Sequence, residues 1–220
     1  YGWIKRYAHG RDISYVCGDA TMAYRPTVDA QFLGLLSSNG IKSTPENGFG
    51  DGKLNLFERH LAFIRPNTVV IYDVLDAQEP SDWTLLLHSM KKPSLNDNGT
   101  LLLDTEKTHA LGYVTGSQPL ACDLTDQFHS PAIDILKKYR GTPNQYHISY
   151  RSKAKSKSMR FLSVLQIANP GEKLSQVADL GNGSFSVNGI RLHAELDPAK
   201  PASLSAEHDS AKLYINAIPG

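Results

Sequence analysis

Short hydrophobic stretches separated by turn residues dominate the pattern of this chain. The two strongest, Phe57–Ile64 and Val69–Leu75, flank an Arg-Pro-Asn-Thr segment whose proline and asparagine favour a turn. The second stretch is almost continuously apolar, as expected for a strand that is covered on both faces. These two stretches therefore predict a hairpin at the centre of a sheet.

The alternation of apolar stretches and turn signals continues along the chain. It predicts further strands at Ile13–Cys17, Ala20–Tyr24, Trp83–His88, Leu101–Leu103, Leu111–Thr115, Leu120–Leu124, Tyr146–Arg151, Arg160–Ile167, Val177–Leu180, Ser184–Val187, Ile190–Leu196 and Lys212–Ile215. Of these, Tyr146–Arg151 and Arg160–Ile167 are predicted to form a hairpin joined by a basic loop. Many short strands predict a mainly β fold, an antiparallel two-sheet β-sandwich with at most one or two short helices.

Two segments are candidate helices, and the chain divides into two regions near residue 169. Periodicity does not decide whether Val28–Leu36 is a short helix or another strand. Ser130 and Pro131 have the order of an N-cap and a first-turn proline, which predicts a helix over Ala132–Tyr139. We expect residues 1–168 to form the main β-sandwich region. Residues 169–220 then add terminal strands, in the same domain or as a small additional sheet.

Composition and charge exclude several classes of partner. Of the 220 residues 40% are hydrophobic and 20% are charged, an ordinary composition. The net charge is only +1, so the chain as a whole has no electrostatic attraction for nucleic acid. No apolar run approaches the roughly 20 residues of a membrane helix. Neither nucleic acid nor a membrane is therefore an expected partner. The chain opens at Tyr1 without an initiator methionine or the order of a signal peptide, so we expect a piece of a longer protein.

The candidate metal-binding residues show no local motif. No two of the eight histidines lie within four residues of each other, so the spacings of a sequence-visible zinc site are missing, although a site assembled across strands stays open. His60 and His88 lie in apolar strands and are expected to be hydrogen-bonded core or sheet residues. Cys17 and Cys122 are expected to be buried free thiols, with a disulfide between them as the alternative.

A basic stretch between residues 137 and 160 is the strongest charge feature. It holds eight of the 23 basic residues and no acidic residue. Such a stretch attracts a sulfated or uronic-acid polysaccharide, and Lys153, Lys155 and Lys157 are the candidate contacts. The alternative is a solvated hairpin tip whose lysines prevent edge-to-edge pairing.

An ordered succession of motifs resembles the heparinase II/III-like polysaccharide lyases. In that family a "GDAT-AY" segment is followed by an arginine-containing strand, a "VV-I-D-L-A" strand and a "W-LLHS" strand. The matching residues here are Gly18–Tyr24, Phe57–Phe63, Val69–Ala77 and Trp83–Ser89. Residues 146–151 followed by Phe161–Ala168 extend the match.

The resemblance implies an α-helical toroid followed by β-sandwich sheets, and an enzyme that cleaves uronic-acid polysaccharides by β-elimination. It also implies a periplasmic or secreted protein, a Tyr or His base and, in some members, a structural zinc. The family's catalytic and zinc segments, "H-DAG" and "AHN", precede the "GDAT" segment and do not occur in this chain. We therefore expect no catalytic residue, metal ligand or cofactor here, and a zinc or other cation would belong to the missing catalytic part.

Three functions remain open at this stage. The leading one is a C-terminal β-sandwich part of such a lyase, inactive alone, with the upstream helical and catalytic β domains and an acidic polysaccharide as partners. Arg6, His9 and Arg11 are its candidate substrate contacts, because they precede Gly18 and lie nearest the missing catalytic strands. The alternatives are a stand-alone carbohydrate-binding module, with Tyr139, Tyr146 and Tyr150 as a sugar platform, and a purely structural β domain.

Overall fold

The computed structural model describes residues 2–25, 29–47, 49, 52–96, 98–127 and 143–218, without the side chains of 216–218. Within these residues the chain forms sixteen strands and one α-helix. The strands are β1 Trp3–His9, β2 Ile13–Asp19, β3 Leu54–Ile64, β4 Thr68–Ser81, β5 Thr84–Ser89, β6 Ser94–Leu95, β7 Leu101–Asp104, β8 His109–Gly116, β9 Leu120–Thr125, β10 Tyr146–Ser152, β11 Ser156–Ala168, β12 Ala178–Gly181, β13 Ser184–Val187, β14 Ile190–Ala194, β15 Ala202–His208 and β16 Ala211–Ile218. Helix α1 spans Ala30–Ser38, and short 3₁₀ turns cover Thr21–Tyr24 and Pro45–Asn47.

The described strands divide into three antiparallel sheets. Sheet A has eight strands in the order β1-β2-β3-β4-β11-β8-β7-β6, sheet B has the order β5-β10-β9, and sheet C runs from β12 to β16 in sequence order. The prediction of a mainly β, antiparallel fold with few helices is confirmed. The predicted central hairpin is β3 and β4, whose pairing runs from Leu54 opposite Ala77 to Ile64 opposite Thr68.

Sheet A is the middle layer of the molecule. Side chains alternate between the two faces of a strand, and the two core clusters follow this alternation. Tyr72 on β4 and its cross-strand partner Leu162 on β11 pack with sheet C. Phe161, the residue before Leu162, points to the other face and packs with sheet B. Sheets B and C therefore cover opposite faces of sheet A.

One buried cation connects sheet A to the loop before β15. Arg160 is 5% exposed, and its Nη1 donates to the Glu195 carbonyl at 2.7 Å, while Nη2 donates to the Lys200 carbonyl. The Tyr72 hydroxyl donates to the same Glu195 carbonyl at 2.6 Å. Arg160 therefore satisfies backbone acceptors in the interior and does not belong to the surface charge of the basic stretch.

The hairpin predicted from Tyr146–Arg151 and Arg160–Ile167 is wrong. The corresponding strands exist, but β10 pairs with β5 and β9 in sheet B, whereas β11 pairs with β4 and β8 in sheet A. Both edges of each strand are occupied by other neighbours, so the short connection between them crosses from one layer to the next.

The strand predicted at Ala20–Tyr24 is also wrong. Asp19 Oδ1 accepts a hydrogen bond from the Thr21 backbone amide at 2.9 Å, which turns the chain into a 3₁₀ turn. The ambiguous segment Val28–Leu36 contains most of helix α1, capped by Asp29, whose carboxylate accepts from the Phe32 amide at 2.7 Å. The helix predicted over Ala132–Tyr139 lies outside the described residues. None of the described helices is long and apolar enough to span a membrane.

Candidate functional site

The predicted substrate contacts near the N-terminus lie on and beside β1. Arg6 and His9 belong to β1, and Arg11 lies in the turn to β2. Arg11 is paired with its neighbour Asp12, with Nε 3.1 Å from Oδ1, and His9 Nδ1 hydrogen-bonds the Ser14 hydroxyl at 2.9 Å. All three side chains are at the surface.

The predicted lysine contacts lie at the other end of sheet A. Lys153 and Lys155 lie in the connection from β10 to β11, and Lys157 follows within β11. This end of β11 pairs with Ser81 at the end of β4, and Lys155 Nζ is 3.6 Å from a carboxylate oxygen of Asp82. The structure therefore does not bring the lysines together with Arg11, and the binding roles of both groups stay predictions.

The predicted tyrosine platform does not form around Tyr150. Its side chain is 1% exposed, and its hydroxyl donates to the Gly99 carbonyl at 3.0 Å. Burial raises the pKa of its phenol. Tyr146 is half-buried, and Tyr139 lies outside the described residues. Tyr150 is thus a core residue between sheets A and B and is closed to a sugar.

A buried group of chemistry-bearing side chains lies between β2 and β3. Cys17 stands opposite His60 in the strand register, and Glu58 lies two residues before His60, so all three point to the same face of sheet A. Their exposed fractions are 1%, 0% and 1%. One potential ligand atom from each lies within 4.8 Å of the others. We call these three residues the Cys17–Glu58–His60 cluster.

Hydrogen bonds hold two members of the cluster from opposite sides. The Lys5 ammonium from β1 donates to Glu58 Oε1 and lies 3.9 Å from Asp19 Oδ2. The hydrogen bond with Glu58 raises the pKa of Lys5. On the other side, the Tyr15 hydroxyl and His60 Nδ1 lie 2.7 Å apart. Glu58 is thus a paired carboxylate, and the ring of His60 is fixed through one nitrogen.

The second ring nitrogen of His60 has no hydrogen-bond partner. Among the described residues, two buried side-chain polar atoms are unpaired, His60 Nε2 and Ser163 Oγ. Nε2 lies 3.7 Å from Glu58 Oε2, which is too long for a hydrogen bond. Burial lowers the pKa of His60 to about 4, so its imidazole is neutral at pH 7, with one protonated and one unprotonated ring nitrogen.

The cluster was only partly visible in the sequence. The prediction that His60 is a hydrogen-bonded core residue is confirmed, and Cys17 is a buried free thiol as expected, with a pKa raised by burial. Cys122 is also free but exposed. The spacing of Glu58 and His60 on one strand face was available from the sequence. Their approach to Cys17 depends on the register between β2 and β3, which local spacing does not encode.

A separate cavity of about 1030 Å³ lies between sheets A and B. Its lining includes the aromatic side chains of Tyr24, Phe57 and Trp83. Arg59 also lines it, but its guanidinium is bidentate to Asp73, with both N–O distances at 2.7 Å, and this hydrogen bonding raises the pKa of Arg59. The cavity therefore offers aromatic surface beside an ion-paired guanidinium, and Glu46, Lys53 and Asp82 add further charged groups to its lining.

Among the described strands, none pairs with the outer edge of β1. Every residue of β1 is exposed, and Trp3, Ile4 and Tyr7 are 51%, 70% and 70% exposed. β1 pairs with β2 on one side and is the end strand of the sheet on the other. A sheet edge that combines unpaired backbone groups with exposed apolar side chains is a surface on which further protein can pack.

The three antiparallel layers place the chain among the multilayered β-sandwich proteins. No family model matches the sequence, and no curated protein is significantly similar to it. Similarity to solved structures is found instead. A heparinase III gene product is similar with a TM-score of 0.60 and 10% identity, over 97% of this chain and 27% of that protein.

Two further solved lyases show the same relationship. The heparan sulfate lyase HepC from Pedobacter heparinus is similar with a TM-score of 0.55 and 9% identity, over 99% of this chain and 28% of its own. A heparinase III crystal structure is similar with a TM-score of 0.53 and 10% identity, over 99% of this chain and 27% of that protein. This chain spans about a quarter of the length of these structures. The resemblance to heparinase II/III-like lyases is therefore confirmed as a likeness of fold.

Proposed function

We propose that this chain is the C-terminal β-sandwich portion of a heparinase II/III-like polysaccharide lyase. In the whole enzyme it supports the catalytic region and shapes one wall of the cleft, without being catalytic alone. The whole enzyme is periplasmic or secreted and cleaves a uronic-acid polysaccharide by β-elimination. The observation that carries the proposal is the match of nearly the whole chain to about a quarter of three heparinase structures.

The chemistry of the described residues supports a role without catalysis. β-Elimination requires a base that reaches the C5 proton of a uronate and a positive or polar group that stabilises the developing enolate. Tyr15 and His60 are a Tyr–His pair of suitable types, but they are 3% and 0% exposed. Burial also raises the pKa of the Tyr15 phenol, which disfavours the phenolate that would act as base. A polymer has no access to this pair.

The exposed outer edge of β1 supports packing against a further protein domain. Trp3, Ile4 and Tyr7 would leave water if an upstream strand paired with β1, and each such side chain contributes about 1.5–3 kcal/mol when it becomes fully buried. Extension of a sheet by one more strand also satisfies the free backbone groups of β1. We therefore assign the upstream catalytic β domain to this edge.

The test compares this chain with the complete polypeptide encoded by its gene. Both are assayed on a panel of uronic-acid polysaccharides by the ultraviolet absorbance of the unsaturated uronate product. We expect cleavage by the complete polypeptide and none by residues 1–220 alone. Cleavage by this chain, or a gene that encodes no catalytic region before Tyr1, would overturn the proposal.

Substrate contacts are tested in the complete enzyme. Arg6→Ala and Arg11→Ala should raise the Michaelis constant if the N-terminal end of sheet A borders the cleft, because each removes a cation that attracts an acidic polymer. Lys153→Ala and Lys155→Ala test the second predicted group, at the opposite end of sheet A, and should raise the Michaelis constant only if that end borders the cleft. An unchanged Michaelis constant in both arginine variants would remove Arg6 and Arg11 from the cleft wall.

The cavity between sheets A and B favours one alternative, a carbohydrate-binding module that acts alone. Tyr24 and Phe57 lie on its wall with ring centroids 5.6 Å apart, and aromatic surface of this kind stacks on sugar rings. Binding of this chain to a glycan array, abolished by Phe57→Ala and retained in Phe63→Ala, would favour that function. Absence of glycan binding would leave the supporting role.

A further inference from the structure

We propose that Cys17, Glu58 and His60 bind one zinc ion, and that Lys5 occupies part of the site when the metal is absent. The inference rests on residues of this chain alone and does not depend on its parentage. It departs from the expectation, drawn from the sequence, that this chain holds no metal ligand. The site would join β2 to β3 on the face of sheet A that carries the sheet C core.

The donor set suits zinc. A thiolate, an imidazole and a carboxylate are the three side-chain types that bind Zn²⁺, at about 2.3, 2.0–2.1 and 2.0–2.2 Å. Two oxygen or nitrogen ligands of one tetrahedral ion therefore lie about 3.4 Å apart. His60 Nε2 and Glu58 Oε2 are 3.7 Å apart, and one potential ligand atom from each of the three residues lies within 4.8 Å of the others. A small movement of the side chains closes this set around an ion.

The unpaired nitrogen is the second, independent observation. A buried polar atom without a partner costs free energy, and native proteins leave few of them. His60 Nε2 is such an atom, and it faces a carboxylate oxygen across a gap that contains no hydrogen bond. A cation between Nε2 and Oε2 satisfies both atoms.

Tyr15 provides the outer support that a zinc-bound histidine requires. When Nε2 binds metal, the neutral imidazole carries its proton on Nδ1, and that N–H donates to an oxygen that fixes the ring. The Tyr15 hydroxyl is 2.7 Å from Nδ1. Its own proton is then free to donate towards the Cys17 sulfur, with which it also interacts. One hydroxyl would therefore orient two of the three ligands.

Charge balance explains the position of Lys5. Without metal, the Lys5 ammonium neutralises Glu58 through Oε1. When Zn²⁺ binds, the Cys17 thiol releases its proton to solvent as the sulfur–zinc bond forms, and the thiolate and the Glu58 carboxylate together balance the two positive charges of the ion. Lys5 then pairs with Asp19, whose Oδ2 is already 3.9 Å away. A water molecule supplies the fourth ligand.

The test uses the full chain, prepared with chelator and then titrated with Zn²⁺ or with Co²⁺ as a spectroscopic probe. We expect one zinc per chain after dialysis, a higher melting temperature with zinc, and an ultraviolet thiolate-to-cobalt charge-transfer band with Co²⁺. Cys17→Ser should abolish the band, whereas Cys122→Ser should keep it because Cys122 lies on β9, outside the cluster. Glu58→Gln and His60→Gln should weaken zinc binding at least about tenfold.

A variant's metal binding is interpreted only after circular dichroism has shown that the variant is folded. If the wild-type chain shows no charge-transfer band and no zinc-dependent rise in melting temperature, the site does not exist. A band that survives in Cys17→Ser and disappears in Cys122→Ser would also overturn the proposal, because the metal would then lie elsewhere. Since Lys5 competes for Glu58, Lys5→Met should bind zinc more tightly than the wild type. Weaker binding in that variant would contradict the displacement of Lys5.

Discussion

Arg160 is the residue whose loss we expect to cost most among the basic side chains. Arg160→Leu removes two hydrogen bonds from a buried guanidinium to backbone carbonyls, and a hydrogen bond to a charged group contributes about 1.5–3 kcal/mol. The Glu195 carbonyl keeps its bond from Tyr72, so the loss there is smaller. Urea denaturation followed by circular dichroism measures the free energy of unfolding. Arg151→Leu, an exposed arginine on β10, is the matched control and should change it by less than about 0.5 kcal/mol. Equal stability of the two variants would show that Arg160 does not have this role.

Glu207 should make the stability of the chain depend on acid. Hydrogen bonds from Tyr214, Arg191 and Lys212 lower the pKa of its carboxyl to about 2, from an ordinary value of 4.5. A carboxyl whose pKa is lower in the folded state stabilises the protein above the unfolded pKa. That contribution is lost as the pH falls from about 4.5 to about 2.

The comparison with Glu207→Gln isolates this effect. The difference in melting temperature between the wild type and Glu207→Gln should shrink across that pH window, and it should shrink with added salt because the side chain is partly exposed to solvent. Carboxyl chemical shifts in an NMR titration report the pKa directly. A titration midpoint near 4.5 for Glu207 would contradict the prediction.

At the scale of single residues, the sequence predicted whether a side chain is buried better than it predicted which side chains it contacts. His60 was recognised as a core residue because it lies in an apolar stretch, and burial is readable from such a pattern. Its neighbours Tyr15 and Cys17 come from a strand whose connection to β3 runs through residues 20–53. Sequence spacing carries no information on the register between β2 and β3, so the cluster could be identified only from the folded structure.

At the scale of elements, we expect the corner between sheets A and B to unfold as one unit. The Trp83 backbone amide donates to Ser152 Oγ at 3.1 Å, and the Ser152 amide donates to the Trp83 carbonyl at 2.9 Å. The Trp83 indole nitrogen donates to the Ser156 carbonyl at 2.9 Å. These bonds join the crossing from β4 to β5 with the crossing from β10 to β11.

We predict that substitutions of Trp83 and Ser152 each lower the free energy of unfolding, and that their two effects are not additive. Trp83→Phe should cost about 1–3 kcal/mol, because it leaves the Ser156 carbonyl unpaired, and Ser152→Ala should cost about 1 kcal/mol. The double variant should differ from the sum by at least about 0.5 kcal/mol, since both residues share one network. Unfolding is followed by circular dichroism. Trp3→Phe, at the other tryptophan and 51% exposed, is the control. Full additivity would argue against a single unit.

The elements that were predicted and those that were missed differ in a physical way. β3 and β4 were visible because large apolar residues mark them. β15 was missed because its buried face is made of Ala202, Leu204 and Ala206, and two small residues give a weak hydrophobic signal. β1 was missed because its apolar residues do not alternate with polar ones, as the sequence Trp-Ile-Lys-Arg-Tyr-Ala-His shows. The hairpin error at β10 and β11 arose because adjacency in sequence does not specify which sheet a strand joins.

At the scale of the whole molecule, the face of sheet A that lies under sheet C bears on the domain organisation. Val70, Tyr72, Leu162 and Val164 are each 0% exposed, and they pack in one cluster with residues of β13 to β16. The two sheets therefore share a core, and sheet C is the described sheet that covers this face of sheet A. The strands after residue 169 form a sheet of their own but not a core of their own.

Removal of residues 170–220 should therefore prevent the rest of the chain from folding. It would expose at least these four side chains, and at about 1.5–3 kcal/mol each the loss matches the 5–15 kcal/mol by which whole domains are stable. We expect residues 1–169 alone to aggregate or to bind a hydrophobic dye without a cooperative melting transition. The matched comparison is the whole chain cut by a protease at a site inserted after Asn169, in the exposed turn that leads to Gly171. Its two pieces should stay associated and melt together, because the shared core is intact. A soluble 1–169 fragment that melts cooperatively would show instead that sheets A and B are sufficient and that sheet C is a separate addition.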